Sequence, residues 1–276
     1  MAAHSQTISD LLRRRYGEEQ PIEAARCNEA VEAMLSHRSV RAYLPDRVPD
    51  DLLHLAIASA QSAPTSSSLQ AWSVVAVEDA ERRARLEELA SPNPQIVSAP
   101  LFLVWIADLS RLRTISKAHG HTGDGLDYLE TFLVGTIDAA LAAQNALVAF
   151  ESLGLGTCYI GGIRNHPAEV GKVLGLPPET FAVFGMTVGY PDPAMATKAK
   201  PRLAQSFVLH RERYQVADNA DDFGGYDDTM RAFQSNQGMA VRGWTKAVAG
   251  RIGDTAALKG RHLLSDIVRR MGFKIK

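Results

Sequence analysis

Runs of apolar and polar residues predict helices and strands that follow one another along most of the chain. Apolar positions recur with helical spacing in five segments, which are 22–36, 49–63, 79–90, 126–153 and 166–176. Short β-branched or continuously apolar runs predict strands at 72–77, 100–108 and 181–190, and a further strand follows the glycines of "LGLGTCYIGG". Because strands and helices alternate irregularly, the pattern predicts an α+β, or mixed α/β, fold.

Three regions lack a regular pattern. Residues 1–20 predict a polar leader with a short helical piece, and the glycine-containing stretch 109–125 predicts a mobile loop. The basic, proline-bearing stretch 191–214 is too long for a routine loop and predicts an arm that crosses a surface or a partner. We therefore expect an N-terminal extension (1–34) and a domain (35–276) in which 191–276 forms the arm and a region of short helices.

The long helix predicted at 126–153 carries a stripe of small residues. They follow one another at spacings of three and four, and are Gly135, Ala139, Ala142, Ala146 and Ala149. Small side chains along one stripe let another element approach closely. The pattern leaves open whether that element belongs to the same chain or to a second copy.

Composition narrows the function classes. The 276 residues are 46% hydrophobic and carry a net charge of −1, which argues against an electrostatic nucleic-acid binder. Cys27 and Cys158 stand far apart, which excludes a disulfide framework and is typical of a reducing compartment. The N-terminus has no signal-like apolar run, and no stretch approaches the roughly 20 apolar residues of a membrane span. The sequence predicts a soluble cytoplasmic protein without a membrane or nucleic-acid partner.

The stretch "HRSVR" is the first candidate for chemistry. In an extended segment His37, Ser39 and Arg41 would point to one side and could seat a phosphate or another anion. A solvated loop at a helix end explains the same five residues. "TSSS" (65–68) and "KPR" (200–202) are equally ambiguous, since each fits either an anion contact or an ordinary turn.

The glycines of "GLGTCYIGG" do not form a dinucleotide fingerprint. Tyr159 stands where the third glycine is required, and the glycines leave a helix and enter a strand, which is the wrong order. Gly161 and Gly162 at a strand end instead indicate close approach of the backbone to something flat. No Gly-x-Ser-x-Gly elbow and no His-Glu-x-x-His spacing occurs, so the sequence predicts neither a catalytic nucleophile nor a metal site.

Five stretches taken together are more specific than any one alone. "HRSVR", "APTSSSLQAW", "AAQNALVAFESLGLGTCYIGGIRN", "FGMTVGYP" and "KPRL" resemble, in this order, the nitroreductase family of FMN enzymes. The resemblance covers about 35–215 and favours the branch of oxygen-insensitive NADPH nitroreductases and flavin reductases. It implies a central mixed sheet flanked by helices, in an intertwined homodimer with FMN at the subunit interface. It also implies that the small-residue stripe meets its own copy and that the arm wraps onto the other subunit.

The resemblance also implies which residues bind the cofactor. Arg41 would lie toward the N1 and O2 edge of the ring or the ribityl chain, while His37 and Ser39 would lie toward the phosphate with the distant Lys200 and Arg202. The full implied FMN set is His37, Arg38, Ser39, Arg41, Thr65, Ser66, Ser67, Asn93, Glu130, Tyr159, Ile160, Gly161, Gly162, Lys200 and Arg202. No catalytic side chain is needed, because the flavin carries the redox chemistry.

The implied activity is a ping-pong, two-electron reduction of nitroaromatics, quinones or flavins by NAD(P)H. Two alternatives stay open: a specialised enzyme of the superfamily, for flavin fragmentation or reductive dehalogenation, and a flavin-binding protein without turnover. Gln237 stands where the branch carries its first arginine for the NADPH 2′-phosphate, and Arg242 is the nearby candidate for a nucleotide contact. A smaller NADPH preference is therefore expected, and use of NADH or of both nucleotides stays open.

Overall fold

A computed structural model of the protein describes residues 2–17 and 27–276. These residues fall into two units. The helical unit comprises Met1–Arg38 and Thr197–Leu258, and the sheet unit comprises Ser39–Ala196 and Lys259–Lys276. The sequence predicted an N-terminal extension that ends at 34, whereas the first stretch of the helical unit ends at Arg38.

The sheet unit is built on four strands, each of which the sequence predicted. They are β1 (Trp72–Val77), β2 (Leu101–Asp108), β3 (Gly156–Ile160) and β4 (Thr180–Gly189), in the order β1-β2-β4-β3. All three neighbouring pairs are antiparallel, with Val75 opposite Val104 and Leu103 opposite Met186. The predicted mixed sheet is therefore wrong for these strands, and in the described residues the parallel pairing is the isolated bridge between Ser39 and Thr157.

Eleven α-helices lie in the described part of the chain. They are α1 (Ala2–Tyr16), α2 (Glu29–Ser36), α3 (Asp50–Gln61), α4 (Ala80–Ala90), α5 (Gln95–Ser98), α6 (Ser110–Ala118), α7 (Leu129–Ser152), α8 (Pro167–Leu174), α9 (Gly224–Asn236), α10 (Thr245–Ile252) and α11 (Leu264–Arg270). Four predicted helices are confirmed as α3, α4, α7 and α8. The helix predicted at 22–36 begins at Glu29, where the Asn28 side chain accepts a hydrogen bond from Val31 N (3.1 Å); residues 22–26 of that prediction lie outside the described residues.

The stretch 109–125 was wrongly predicted as a mobile loop, because α6 occupies residues 110–118. Arg113 on α6 donates to both carboxylate oxygens of Glu179 and to Asp127 Oδ1 (2.8 Å). Arg113 therefore ties α6 to distant residues through ion pairs. Sequence periodicity carries no information about such distant partners.

The small-residue stripe of α7 faces the chain's own sheet. Gly135, Ala139, Ala142 and Ala146 are buried, and a Cβ at Gly135 would lie 3.1 Å from Ala71 O and 3.2 Å from the Cβ of Ala107. The expectation that a second copy fills this stripe is therefore wrong, because small side chains here let the helix lie close to β2.

Helix α7 is also long and apolar enough to cross a membrane by length and composition, with a mean hydropathy of 1.5 in its 18-residue window. The prediction that no stretch approaches such a length is corrected. One face of α7 nevertheless packs in the hydrophobic core of the sheet unit, and that face includes the buried carboxylate of Asp138. These features are typical of the core helix of a soluble domain.

The opposite face of α7 is apolar and exposed. Its large side chains recur every fourth residue and are Leu129, Leu133, Ile137 and Leu141, with 48%, 45%, 56% and 39% of their surface exposed. Helix α7 is therefore apolar on both faces, and the described residues of its own chain cover only one of them.

The helical unit begins with a helix that is longer than the predicted short piece. In α1, Ile8, Leu11 and Leu12 are buried and pack with Tyr16, Cys27 and Leu35. At the other end of this unit, the Asp227 carboxylate accepts hydrogen bonds from Trp244 N (2.5 Å) and Thr245 N (2.8 Å) and thereby caps α10.

Candidate cofactor-binding site

The segment Ser39–Tyr43 lies along the sheet edge formed by β3. Ser39 is bridged to Thr157, and Val40 N donates to Thr157 O at 2.8 Å. A Cβ at Gly156 would lie only 2.5 Å from Cγ2 of Val40, so the missing side chain at Gly156 lets the segment seat on the strand. Arg41 is exposed beside this edge, with Nη1 3.5 Å from Ser39 O.

Tyr43 fixes the far end of the same segment. Its hydroxyl donates to Val40 O (2.6 Å) and shares a hydrogen bond with Thr187 Oγ1 (2.7 Å). Burial raises the pKa of Tyr43 well above its usual range, so the phenol is neutral at physiological pH. Sequence reasoning missed this residue, although its place just before the Leu44-Pro45 turn is a signal for an anchor.

The end of β3 and the turn that follows it carry four of the residues implied by the resemblance. Tyr159 is 37% exposed and meets Phe184 edge to face, with ring centroids 5.0 Å apart. Burial of its hydroxyl raises the pKa of Tyr159, and Glu151 adds to the shift. Ile160 is buried, and Gly161 and Gly162 open the turn Gly161–Asn165.

Gly162 packs closely against the end of α4. A Cβ at Gly162 would overlap the carbonyl oxygen of Ala90 and lie 2.7 Å from Nδ2 of Asn93. The missing side chain at Gly162 thus lets the turn after β3 approach the end of α4. Asn93 belongs to the same contact: its Nδ2 donates to Ala90 O (2.6 Å), and its Oδ1 accepts from Gln95 Nε2 (3.3 Å). The Asn93 amide therefore stabilises the loop in which it lies. Glu130 stands apart, exposed in the first turn of α7.

The hydroxyl loop at 65–70 is held by a buried carboxylate that sequence reasoning missed. Asp138 on α7 accepts hydrogen bonds from Thr65 Oγ1 (2.5 Å), Ser66 N (3.2 Å) and Ala71 N (3.0 Å). The sequence signal for Asp138 was its position within the stripe of small residues, because a carboxylate that is buried there requires hydrogen-bond donors.

The backbone of this loop is unusual. Ser67, Ser68 and Gln70 all have positive φ angles, of 49°, 56° and 49°. Residues other than glycine adopt this conformation only when the surrounding contacts impose it, and such positions cluster at functional sites. The Asp138 carboxylate is the contact that fixes the start and the end of the loop.

In the helical unit, Arg15 joins the main chains of two predicted phosphate-binding stretches. Its Nη1 donates to Lys200 O (2.8 Å), and its Nη2 donates to Leu35 O (2.8 Å) and His37 O (3.2 Å). Arg202 N in turn donates to Arg15 O at 2.8 Å. The structure thus brings His37, at the C-terminal end of α2, together with Lys200 and Arg202. Arg38 is exposed next to His37.

Arg202 lines a cleft of this unit with a volume of about 290 Å³. The lining side chains include Tyr16, Phe207, Tyr226 and Asp222. Aromatic walls with a few polar groups are typical of small-molecule sites.

Arg242 lies on a loop that folds back onto α9. Gln234 Oε1 accepts hydrogen bonds from Arg242 N (2.8 Å) and Gly243 N (3.1 Å), and the Arg242 side chain is exposed. Gln237, which replaces the expected first arginine, instead accepts a hydrogen bond from Lys198 N (3.2 Å) on the arm.

Two sequence models match this chain: the nitroreductase family over residues 34–190, and the C-terminal domain of the nitroreductase family over residues 200–276. The chain belongs to the nitroreductase family. The two matches include every residue of the five stretches that carried the resemblance except Pro191, which lies between them. Helix α1 lies before the first matched residue.

Relatives in the family extend over almost the whole chain. The FMN reductase (NADPH) of Bacillus subtilis (strain 168) is 37% identical over 253 residues, which are 89% of this chain and 98% of that protein. The structure of B. megaterium NfrA2 superposes with a TM-score of 0.84 at 36% identity and covers 91% of this chain and 100% of its own. The NADPH:FMN oxidoreductase from Vibrio harveyi, complexed with NAD+, gives a TM-score of 0.80 at 34% identity, with 90% and 100% covered. The predicted family, its NADPH-flavin oxidoreductase branch and the prediction of an enzyme are confirmed.

Proposed function

We propose that this nitroreductase-family protein is an FMN-dependent NAD(P)H oxidoreductase that reduces nitroaromatics, quinones or free flavins in two-electron steps. The observation that carries the proposal is the junction at Arg15. Predicted phosphate ligands from distant parts of the sequence, His37 on one side and Lys200 and Arg202 on the other, are held together through main-chain hydrogen bonds. Two reductase relatives, which are 37% and 38% identical to this chain, support the reaction class.

Each unit, taken by itself, contains residues that suit one part of a flavin mononucleotide. Arg15 is buried and its described contacts are carbonyl oxygens, so its charge and that of Arg202 are suited to an anion such as a phosphate ester. In the sheet unit, the partly exposed ring of Tyr159 offers an apolar contact for a flat ring. The loop at 65–70, with its unusual backbone conformation, offers polar groups for hydrogen bonds to that ring.

The proposed roles follow the chemistry of each group. Cations and hydroxyls bind the phosphate and ribityl parts, and the strand end with the hydroxyl loop binds the ring. The proposed cofactor residues are His37, Arg38, Ser39, Arg41, Thr65, Ser66, Ser67, Asn93, Glu130, Tyr159, Ile160, Gly161, Gly162, Lys200 and Arg202. When bound, FMN supplies the redox chemistry, so the side chains bind and orient rather than act as nucleophile or base. For Asn93 and Gly162 the role is indirect, through the loop that they fold.

A homodimer and a cytoplasmic location are part of the proposal. The exposed face of α7 is one apolar surface without cover from the described residues of its own chain. The arm adds a second, since Val208, Leu209, Tyr214 and Val216 are each more than half exposed. Apolar surface of this extent is typical of a chain that associates.

We also propose that Arg242 contacts the nucleotide phosphate. Its side chain is exposed and its main chain is fixed by Gln234, so a cation is presented on a defined loop. Gln237 is hydrogen-bonded to the arm and carries no charge, so Arg242 alone would contact the 2′-phosphate of NADPH. The preference for NADPH over NADH should therefore be small.

The test is the absorbance of purified protein under argon. We expect a yellow protein with about one FMN per chain, which either NADPH or NADH bleaches and which a nitroaromatic or a quinone restores. The two nucleotides should differ by no more than about tenfold in kcat/KM, because one exposed cation contributes about one factor of ten. A yellow protein that neither nucleotide bleaches would be a flavin-binding protein without turnover, and a colourless protein that takes up no FMN would overturn the proposal.

A further inference from the structure

Helix α1 ends in three consecutive arginines, of which only the third is buried. Arg13 and Arg14 are exposed, whereas Arg15 is 7% exposed. Arg15 falls on the same helical stripe as the buried Ile8, Leu11 and Leu12, because it follows Leu12 by three residues, Leu11 by four and Ile8 by seven. The packing of the apolar stripe therefore turns this guanidinium inward.

The described hydrogen bonds of the guanidinium all go to main-chain acceptors. Its two terminal nitrogens reach three carbonyls on two separate stretches, Leu35 and His37 on one and Lys200 on the other. A planar fork with fixed donor directions sets the distance between the stretches more tightly than a single ammonium can.

The charge of Arg15 is left without a counterion in the part of the chain that the structure describes. None of its contacts there is a carboxylate, and Arg202 lies close enough to oppose its charge. Burial, followed by the charge of Arg202, lowers the pKa of Arg15. A buried cation next to a second cation is unfavourable unless an anion completes the cluster.

We propose that Arg15 is a positioning residue for the phosphate of the flavin: it holds the main chains of His37 and Lys200 at the separation at which their side chains and Arg202 close on one phosphate. This inference rests on the proposed function. It assigns a cofactor role to α1, which lies outside the residues that the two family models match.

The experiment compares FMN with riboflavin, which has the same ring and ribityl chain and lacks the phosphate. Apo-protein is titrated with each flavin by fluorescence, for wild type, Arg15→Gln and the matched control Arg14→Gln. Arg14 has the same charge and neighbouring position but is exposed. We expect Arg15→Gln to raise the Kd for FMN by about tenfold or more while the Kd for riboflavin changes by less than about threefold. The control should leave both constants within about twofold of wild type.

Inorganic phosphate provides a readout that needs no flavin. Phosphate should raise the Tm of wild-type and Arg14→Gln apo-protein, because a ligand that binds only the folded state stabilises it, and should not do so for Arg15→Gln. If Arg15→Gln does not fold, Arg15→Lys carries the same comparison, since it keeps the charge without the planar fork.

The outcomes separate two failures. Equal weakening of FMN and riboflavin would make Arg15 a general structural residue, and an unchanged FMN constant would remove it from the site; either result overturns the inference while leaving the proposed function intact. A wild-type protein that binds riboflavin and FMN equally, or neither, overturns the proposed phosphate site itself.

Discussion

Two buried charged side chains organise main chain in this protein by opposite chemistry. Asp138 is acceptor-only and gathers Thr65 Oγ1, Ser66 N and Ala71 N, whereas Arg15 is donor-only and gathers three carbonyl oxygens. Each side chain supplies hydrogen-bond partners for polar groups of a loop that the loop itself does not pair. At the residue scale, such a side chain determines the conformation of several neighbours that contact it mainly through their backbone.

Asp138→Asn tests this for the hydroxyl loop. The amide keeps one acceptor oxygen and presents an NH2 group to donors, so at least one hydrogen bond to a charged group is lost. We expect a loss of about 1.5–3 kcal/mol in the free energy of unfolding, measured by urea titration. We also expect weaker FMN binding, because Ser67 and Ser68 would leave their left-handed conformations.

The control is Asp46→Asn, which makes the same chemical change at an exposed position. It should alter stability by no more than about 0.5 kcal/mol. Equal effects of the two substitutions would mean that the Asp138 carboxylate does not hold the loop.

At the scale of elements, ion pairs around Asp127 tie the C-terminal tail to the rest of the sheet unit. This carboxylate, whose side chain is 1% exposed, meets Lys274 Nζ (2.8 Å), Arg113 Nη2 (2.8 Å) and Lys276 Nζ (3.2 Å). Hydrogen bonds from Lys274 and then Arg113 hold the pKa of Asp127 far below its usual range. The pair Arg113–Glu179 links the same cluster to the start of β4.

The sign of the pH effect follows from that lowered pKa. A carboxylate with a lowered folded-state pKa stabilises the protein above its unfolded value of about 4, and the contribution is lost as the pH falls below it. We expect Asp127→Asn to lower Tm clearly at pH 7 and the difference from wild type to shrink as the pH falls from about 4 toward 2. Thermal unfolding across this range measures it.

Asp266→Asn provides the comparison for that prediction. Asp266 pairs with Arg269 on the surface of α11, with both side chains more than half exposed, and such pairs contribute little. A Tm difference for Asp127→Asn that stayed constant down to pH 2 would show that the loss has another origin than charge.

At the scale of the whole molecule, the two faces of α7 separate folding from association. The stripe of small residues packs against the chain's own sheet, while the opposite face is exposed and carries Leu129, Leu133, Ile137 and Leu141. The proposed homodimer therefore uses the face of large residues, which can bury far more apolar area per side chain.

Ile137→Lys should weaken that dimer. A charge placed at the centre of an apolar contact has to be desolvated, so we expect the dimer dissociation constant to rise by about tenfold or more while the fold is retained. Sedimentation velocity over a range of protein concentrations measures it. Ile115→Lys on α6 makes the same change at a side chain of similar exposure, 50% against 56%, and should leave association unchanged. A wild-type monomer at all concentrations would contradict the proposed dimer.

The sequence by itself determined the elements and the family. Strands β1, β2 and β4 and helices α3, α4, α7 and α8 were predictable, because apolar periodicity is a local property and each of these elements has a consistent one. The family followed from five short stretches in a fixed order, which two family models confirm over residues 34–190 and 200–276.

Only the tertiary structure decided which partners the residues meet. Helix α6 was missed because its Arg113 is stabilised by Glu179 and Asp127 at other places in the chain. The stripe on α7 could not be assigned to the chain itself or to a second copy, because small residues report that something lies close but not what it is. Gly162 was predicted to let the backbone approach a flat group, and no local pattern indicated its close contact with the carbonyl oxygen of Ala90. Asp138 and Arg15 were invisible for the same reason: a buried charge is defined by its contacts, and contacts between distant residues are fixed only when the chain has folded.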